Sequence, residues 1–230
     1  MRMFDAVIFD WDGTLADTHR FVVNSFQRVL KGFGCNVSDE FLEKRIGIGA
    51  RNMFKEALEA TNMPFDEKTI EKLLEKKIEI QVKLTENVNL FDGTVDLLDS
   101  LHNKVKMALA TMSNRMVINK LLTEKGIGKY FDEVITADEV LQPKPNPEVF
   151  LKCATKLRCS PVKCVVVEDS IFGVKAAKEA KMKCIAIPTG AYSIEELREQ
   201  KPDLIVNSIN EKKKILAFIV GGTLGMIVDG

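Results

Sequence analysis

The chain has 230 residues, 46% hydrophobic and 29% charged, with 33 basic and 33 acidic side chains in balance. That composition describes a globular protein of one or two domains, and the neutral charge excludes bulk attraction to nucleic acid or to an anionic membrane. Five cysteines (Cys35, Cys153, Cys159, Cys164, Cys184) make no close-spaced metal or redox pair and no even disulfide set; with no room for a signal peptide before the first strand, they suit a reducing, cytoplasmic setting.

The first element is "AVIFD" at residues 6–10, a short apolar run that reads as a buried strand ending in an acid. Residues 17–86 then carry no strand pattern. "THRFVVNSFQRVLKGFG" (18–34) has apolar positions at helical spacing and closes on glycine, and "SDEFLEKRIG" (38–47) opens on a serine suited to a helix cap. "ARNMFKEALEAT" (50–61) and "DEKTIEKLLEKKIEIQVKL" (66–84) continue the pattern, the latter with Ile70, Leu73, Leu74 and Ile78 on one stripe. This block predicts a second, smaller helical domain over residues 17–87. It would be joined near 15–18 and 87–93 to a core formed by residues 1–16 and 88–230.

After residue 90, short β-branched runs alternate with amphipathic stretches. "VKMALAT" (105–111), "EVIT" (133–136), "CVVVED" (164–169), "KCIAIP" (183–188) and "DLIV" (203–206) read as strands, with helical stretches such as "MVINKLLTEKGI" (116–127) and "NPEVFLKCATKL" (146–157) between them. The alternation predicts an α/β fold: a parallel sheet of about six strands flanked by helices on both faces. The apolar "ILAFIVGGTLGMIV" (215–228) is shorter than the roughly 20 residues of a bilayer span and reads as a packed C-terminal segment.

Open parallel sheets bind ligands beyond the carboxyl ends of their strands. Asp10 and Asp12, Thr111, and Glu168 and Asp169 all fall at such ends, so one crevice beneath the helical block would collect up to four acids. Anions that close cannot all stay ionised unaided. A divalent cation with oxygen ligands resolves the conflict, and Mg²⁺ suits carboxylates, water and a substrate phosphate. Lys144, in "QPKPNP", adds a positive charge from a loop stiffened by flanking prolines.

"FDWDGTLADT" resembles the first motif, Asp-x-Asp-Gly-Thr, of the haloacid dehalogenase-like hydrolase superfamily. Three further motifs follow in that superfamily's order: Thr111 in "LATMSN", Lys144 in "PKPNPEVF", and the acid pair in "VVVEDSIFGVKAAKEA". The resemblance runs along essentially the whole chain and implies a Rossmann-like core with a small helical cap inserted after the first strand. By the same resemblance Asp10 would be the nucleophile that forms a phosphoaspartyl intermediate, and Asp12 the general acid and base. Thr111, Met112, Ser113, Asn114 and Lys144 would hold the phosphate; Asp10, Asp12 (through its backbone carbonyl), Glu168 and Asp169 would hold Mg²⁺. An acid at position 12 points to phosphate esters, since relatives that cleave carbon–halogen or carbon–phosphorus bonds lack it.

The implied reaction is hydrolysis of a small phosphorylated metabolite by a monomer or homodimer, with neither nucleic acid nor membrane as partner. "RIGIGARNMF" resembles the Gly-x-Gly cap loop of phosphoglycolate phosphatases, with Gly47 and Gly49 in the loop. Arg45 and Arg51 are there either as exposed helix charges or as partners of a substrate carboxylate. His19, close to the hinge, is either solvent-facing or a substrate contact; His102 suits a helix terminus, and Trp11 suits packing. A β-phosphoglucomutase-type mutase is the alternative, weakened by Val22 and Ile46 where mutases carry a cap histidine and lysine. A non-enzymatic phospho-switch of the receiver type shares the residue kinds, but it lacks the helical block and places its aspartate on a later strand.

Overall fold

The computed structural model describes residues 3–221. Strand β1 (Ala6–Phe9) is buried at every position, which is what an apolar run flanked by strands on both sides requires. It lies in a six-stranded parallel sheet between β4 (Lys106–Ala110) and β6 (Cys164–Glu168), with β5 (Glu133–Ile135) at one edge and β7 (Lys183–Ala186) and β8 (Leu204–Ile205) toward the other. In the register, Phe9 is level with Leu109 and with Val167, so the chain leaves all three central strands at one height. The expected six-stranded parallel α/β core is therefore present.

Helices α5 (Thr94–Leu101), α6 (Arg115–Glu124), α7 (Glu148–Leu157), α8 (Ile171–Glu179), α9 (Ile194–Glu199) and α10 (Lys212–Leu216) accompany the sheet. Alternation along β1 separates two cores: Val7 and Phe9 join Leu97, Leu109 and Val167, whereas Ala6 and Ile8 join Phe150, Val166 and Val174. Ile215 and Ile219 of the C-terminal apolar run are buried in the first of these cores, and residues 222–228 of that run lie outside the described residues. No described helix is long and apolar enough to cross a membrane.

Residues 19–84 form α1 (His19–Gly32), α2 (Asp39–Glu43), α3 (Ala50–Ala60) and α4 (Glu67–Leu84). Their apolar faces make a third core around Phe26, Leu30, Phe54, Leu58, Ile70 and Leu73. Ser38 caps α2 by accepting from the Phe41 N–H, and Asp66 caps α4 through the Thr69 N–H. The sequence pattern showed no strand at either junction, yet β2 (Ala16–Asp17) and β3 (Asn89–Leu90) pair there as an antiparallel ribbon. Two residues are too few for alternation to register, so only the meeting of the two junctions reveals it.

Candidate active site

The turn after β1 carries Asp10 and Asp12 in different directions. Asp10 is 6% exposed, and its Oδ1 accepts from the Lys144 ammonium at 2.6 Å. The same ammonium donates to Glu168 Oε1 at 2.6 Å and to the Ala110 carbonyl at 3.3 Å. All three of its protons are thus directed. Burial alone would lower the Lys144 pKa, but Asp10 and Glu168 outweigh it and hold the group above its ordinary value.

Glu168 is committed at both oxygens. Its Oε2 accepts from the Asp169 N–H, the Ser170 N–H and the Ser170 hydroxyl, each at 3.0 Å. Expected as a metal ligand, it also orients Lys144 and the turn into α8, and it stays within the cluster of acids that could hold a cation. Asp12, expected at the metal through its backbone carbonyl, holds its carboxylate on the loop after β4: Oδ2 accepts from Ser113 Oγ at 2.7 Å and from Thr111 Oγ1 at 3.4 Å. That arrangement is compatible with the carbonyl taking the metal role, and it leaves Oδ1 without a side-chain partner. Among the described residues, the acids whose oxygens lie within 4.8 Å of one another are Asp10, Glu168 and Asp169.

Asp169 is buried beside Thr14, whose hydroxyl donates to Oδ1 at 3.3 Å. Burial pushes its pKa up to about 6; His19 opposes that rise and Glu168 adds to it. Burial likewise pushes Asp10 well above the usual carboxylate range, against the pull of Lys144 and with the help of Glu168, Asp169 and Asp12. Three buried acids answered by one ammonium leave a negative surplus, so the residues present fit a divalent cation held by Asp10 and Asp169, with Glu168 within reach of the same point.

The remaining expectations divide. Met112 and Ser113 line the cavity above Asp10 and Asp12, together with Gly47, Gly49 and Ser170. Gly49 has φ +85°, and a Cβ there would stand 3.2 Å from Pro143, so glycine is what lets the α2–α3 loop approach the core. Thr111 sits behind this wall, its hydroxyl occupied by Asp12 and by the Ser113 N–H at 3.0 Å. The Asn114 side chain caps α6 through the Met116 N–H and donates to Asp138, so a phosphate contact from this residue would come from its backbone N–H.

Both cap arginines are corrections. Arg45 donates from Nε to Glu56 at 2.6 Å and stacks over Phe41, while Arg51 is paired with Glu67 and Glu71 on an exposed surface. Neither lines the cavity around the acids. His19 is also absent from that lining; its Nε2 stands 3.8 Å from Asp169 Oδ2, and although burial is the largest single influence and lowers its pKa, Asp169, Asp12 and Asp17 together raise it.

The cation that the helical block does contribute to this cavity is Lys77, which the sequence reading passed over. It projects from α4 into the cavity, 6% exposed, with its ammonium 2.7 Å from Gln81 Oε1 and 4.8 Å from the centre of the Phe26 ring. Burial pushes its pKa down to about 8, with Asp12 resisting. A signal was available: Ile70, Leu73, Lys77 and Gln81 are the buried positions of α4 and recur at helical spacing. A lysine and a glutamine standing on an apolar stripe mark a helix face that meets something polar.

Comparison with known proteins places this geometry. A profile of the family described as "Haloacid dehalogenase-like hydrolase" matches residues 7–187. The chain is 30% identical over 184 residues to the fructose-1-phosphate phosphatase YqaB of Escherichia coli, covering 80% of this chain and 96% of that protein. It is 30% identical over 215 residues to phosphoglycolate phosphatase 1 of Pseudomonas aeruginosa, covering 91% and 79% respectively. Among solved structures, a β-phosphoglucomutase from Clostridium difficile superposes with a TM-score of 0.82 at 28% identity, covering 90% of this chain and 92% of that one.

Proposed function

Because the chain belongs to the haloacid dehalogenase-like hydrolase family, we propose that this phosphoric monoester hydrolase is Mg²⁺-dependent and acts on a small phosphorylated metabolite through a phosphoaspartate. The observation that carries the reading is the buried Lys144 ammonium bridging Asp10 and Glu168 at 2.6 Å each, with Asp169 alongside. Lys144 occupies one oxygen of Asp10 and favours its ionised form, which leaves Oδ2 to attack phosphorus. Mg²⁺, held by Asp10, Asp169 and the Asp12 carbonyl, would neutralise charge on the phosphoryl oxygens. Asp12, held by Ser113 and Thr111, has Oδ1 free to protonate the departing alkoxide and then to take a proton from the hydrolytic water. That water attacks the acyl phosphate and releases inorganic phosphate, which regenerates Asp10.

The helices of residues 17–87 act in this reading as a cap, with the β2–β3 ribbon at its two connections. Val22 and Ile46 stand in the cavity wall as apolar groups, which favours hydrolysis over the mutase alternative. A substrate carboxylate such as that of 2-phosphoglycolate would meet Lys77, since Arg45 and Arg51 are engaged elsewhere. The test is release of inorganic phosphate from p-nitrophenyl phosphate. Turnover should need Mg²⁺ and vanish in Asp10→Asn with the fold intact; persistence after exhaustive chelation, or in that variant, overturns the reading.

A further inference from the structure

We infer that the leaving group is a hydrocarbon-rich alcohol and not a polyol, with its carbon chain running past Lys77 into a groove between α3, α4 and the loops after β4 and β5. The inference rests on the phosphatase reading and names the substrate class for the same site. Two observations on separate parts of the molecule support it.

The first is the inner wall. The space over Asp10 and Asp12 is small, about 40 Å³, and the side chains that close it opposite the acids are Val22, Phe26, Ile46, Met53 and Met112. Each is at most 9% exposed. Lys77 is the one polar side chain that the helical block contributes to this wall. A sugar pressed against these residues would bury several hydroxyls with no partner, and each such loss is worth about tenfold in kcat/KM.

The second is the groove. It has a volume of about 430 Å³ and shares Gly49, Ala50, Lys77 and Met112 with the inner cavity, so the two spaces adjoin at these residues. Its apolar lining comes from Ile48, Leu74, Ile78, Val140, Leu141 and Pro143. Leu141 is 93% exposed there and packs into no core. Several of the groove's charged groups are already paired: Arg51 with Glu71, and Asp138 with the Asn114 amide and the Arg115 N–H. Glu75, Asn52 and Lys77 add polar groups to the lining, and between them the apolar side chains form the larger part of the open face.

The experiment measures kcat/KM for n-alkyl phosphates from ethyl to hexyl, with glucose 6-phosphate as the polyol of similar reach. Burial of each methylene should raise kcat/KM by about two- to fourfold, and glucose 6-phosphate should fall at least about tenfold below hexyl phosphate. Leu141→Asp, on a side chain that supports no core, should flatten the slope over the longer members. A flat or falling series, or glucose 6-phosphate equal to hexyl phosphate, overturns the inference while leaving the phosphatase reading standing. A rising series with an unchanged slope in Leu141→Asp removes the groove from it. No turnover of any ester, p-nitrophenyl phosphate included, overturns both readings together.

Discussion

At the scale of single residues, the site works by assigning each oxygen one partner. Asp12 owes its position to Ser113 and Thr111, so Asp12→Asn keeps those contacts but loses the transferable proton. Its kcat on alkyl phosphates should fall by about 10²–10⁴-fold, and by less on p-nitrophenyl phosphate, whose leaving group needs little protonation. Steady-state rates on the two esters check this; an equal loss on both would take the proton-transfer role from Asp12. Arg51 shows the opposite case. Paired with Glu67 and Glu71 at 41% side-chain exposure, it contributes no more than about 1 kcal/mol to stability. Arg51→Ala should change kcat/KM for 2-phosphoglycolate by less than about twofold, which reverses the expectation from its place beside the glycine loop. The reversal comes from partners 16 and 20 residues away in the chain, which no local motif discloses.

At the scale of elements, α4 is where stability and function part. Its buried face places Lys77 in an apolar setting whose cost is recorded by the fall of its pKa from 10.5 to about 8. Below the folded value the lysine is charged in both folded and unfolded states, and the desolvation penalty is fully present. Between about pH 8 and 10.5 the unfolded chain binds the proton more readily, so stability recovers as pH rises. Lys77→Met keeps the stem beside Phe26 and should stabilise the free protein at pH 7 by on the order of 1–3 kcal/mol, the lower end reflecting Gln81's lost partner. The gain should shrink by pH 10, as thermal melts at the two pH values would show. The same variant should lose selectivity for substrates with an acceptor near the ester. The ends of elements were otherwise legible in the sequence: Ser38 caps its helix as expected, and the strands follow the β-branched runs. The β2–β3 ribbon was not, because its pairing joins residues some 70 positions apart.

At the scale of the whole molecule, the ends of two strands and one loop deliver acids and an ammonium to a buried point, and the charge there controls stability. Asp169 is raised from 3.8 to about 6. An acid whose folded pKa exceeds its unfolded value contributes stability at low pH that is lost as pH rises through the folded value. The metal-free protein should therefore lose on the order of 2–3 kcal/mol from this group between about pH 4 and 6. Mg²⁺ binds the ionised acids and should restore that stability. Its effect on Tm should be larger at pH 7.5 than at pH 5, where protons compete for the same oxygens. Calorimetry at both values, with and without Mg²⁺, decides it; equal increments would mean that the cation does not sit on Asp169.

The sequence by itself determined the parallel sheet, the helical block after its first strand, and the acids and lysine gathered at the strand ends. Those are consequences of local periodicity and of short spacings along single strands, which the chain carries wherever it folds. Only the tertiary structure decided which charges face one another. Long side chains such as Arg45, Arg51 and Glu168 can reach several partners, and the partner is whatever packing brings near, so two arginines beside the glycine loop turned outward to glutamates. Lys77 turned inward because α4 can bury only one face, and the apolar stripe that fixes that face carries the lysine with it.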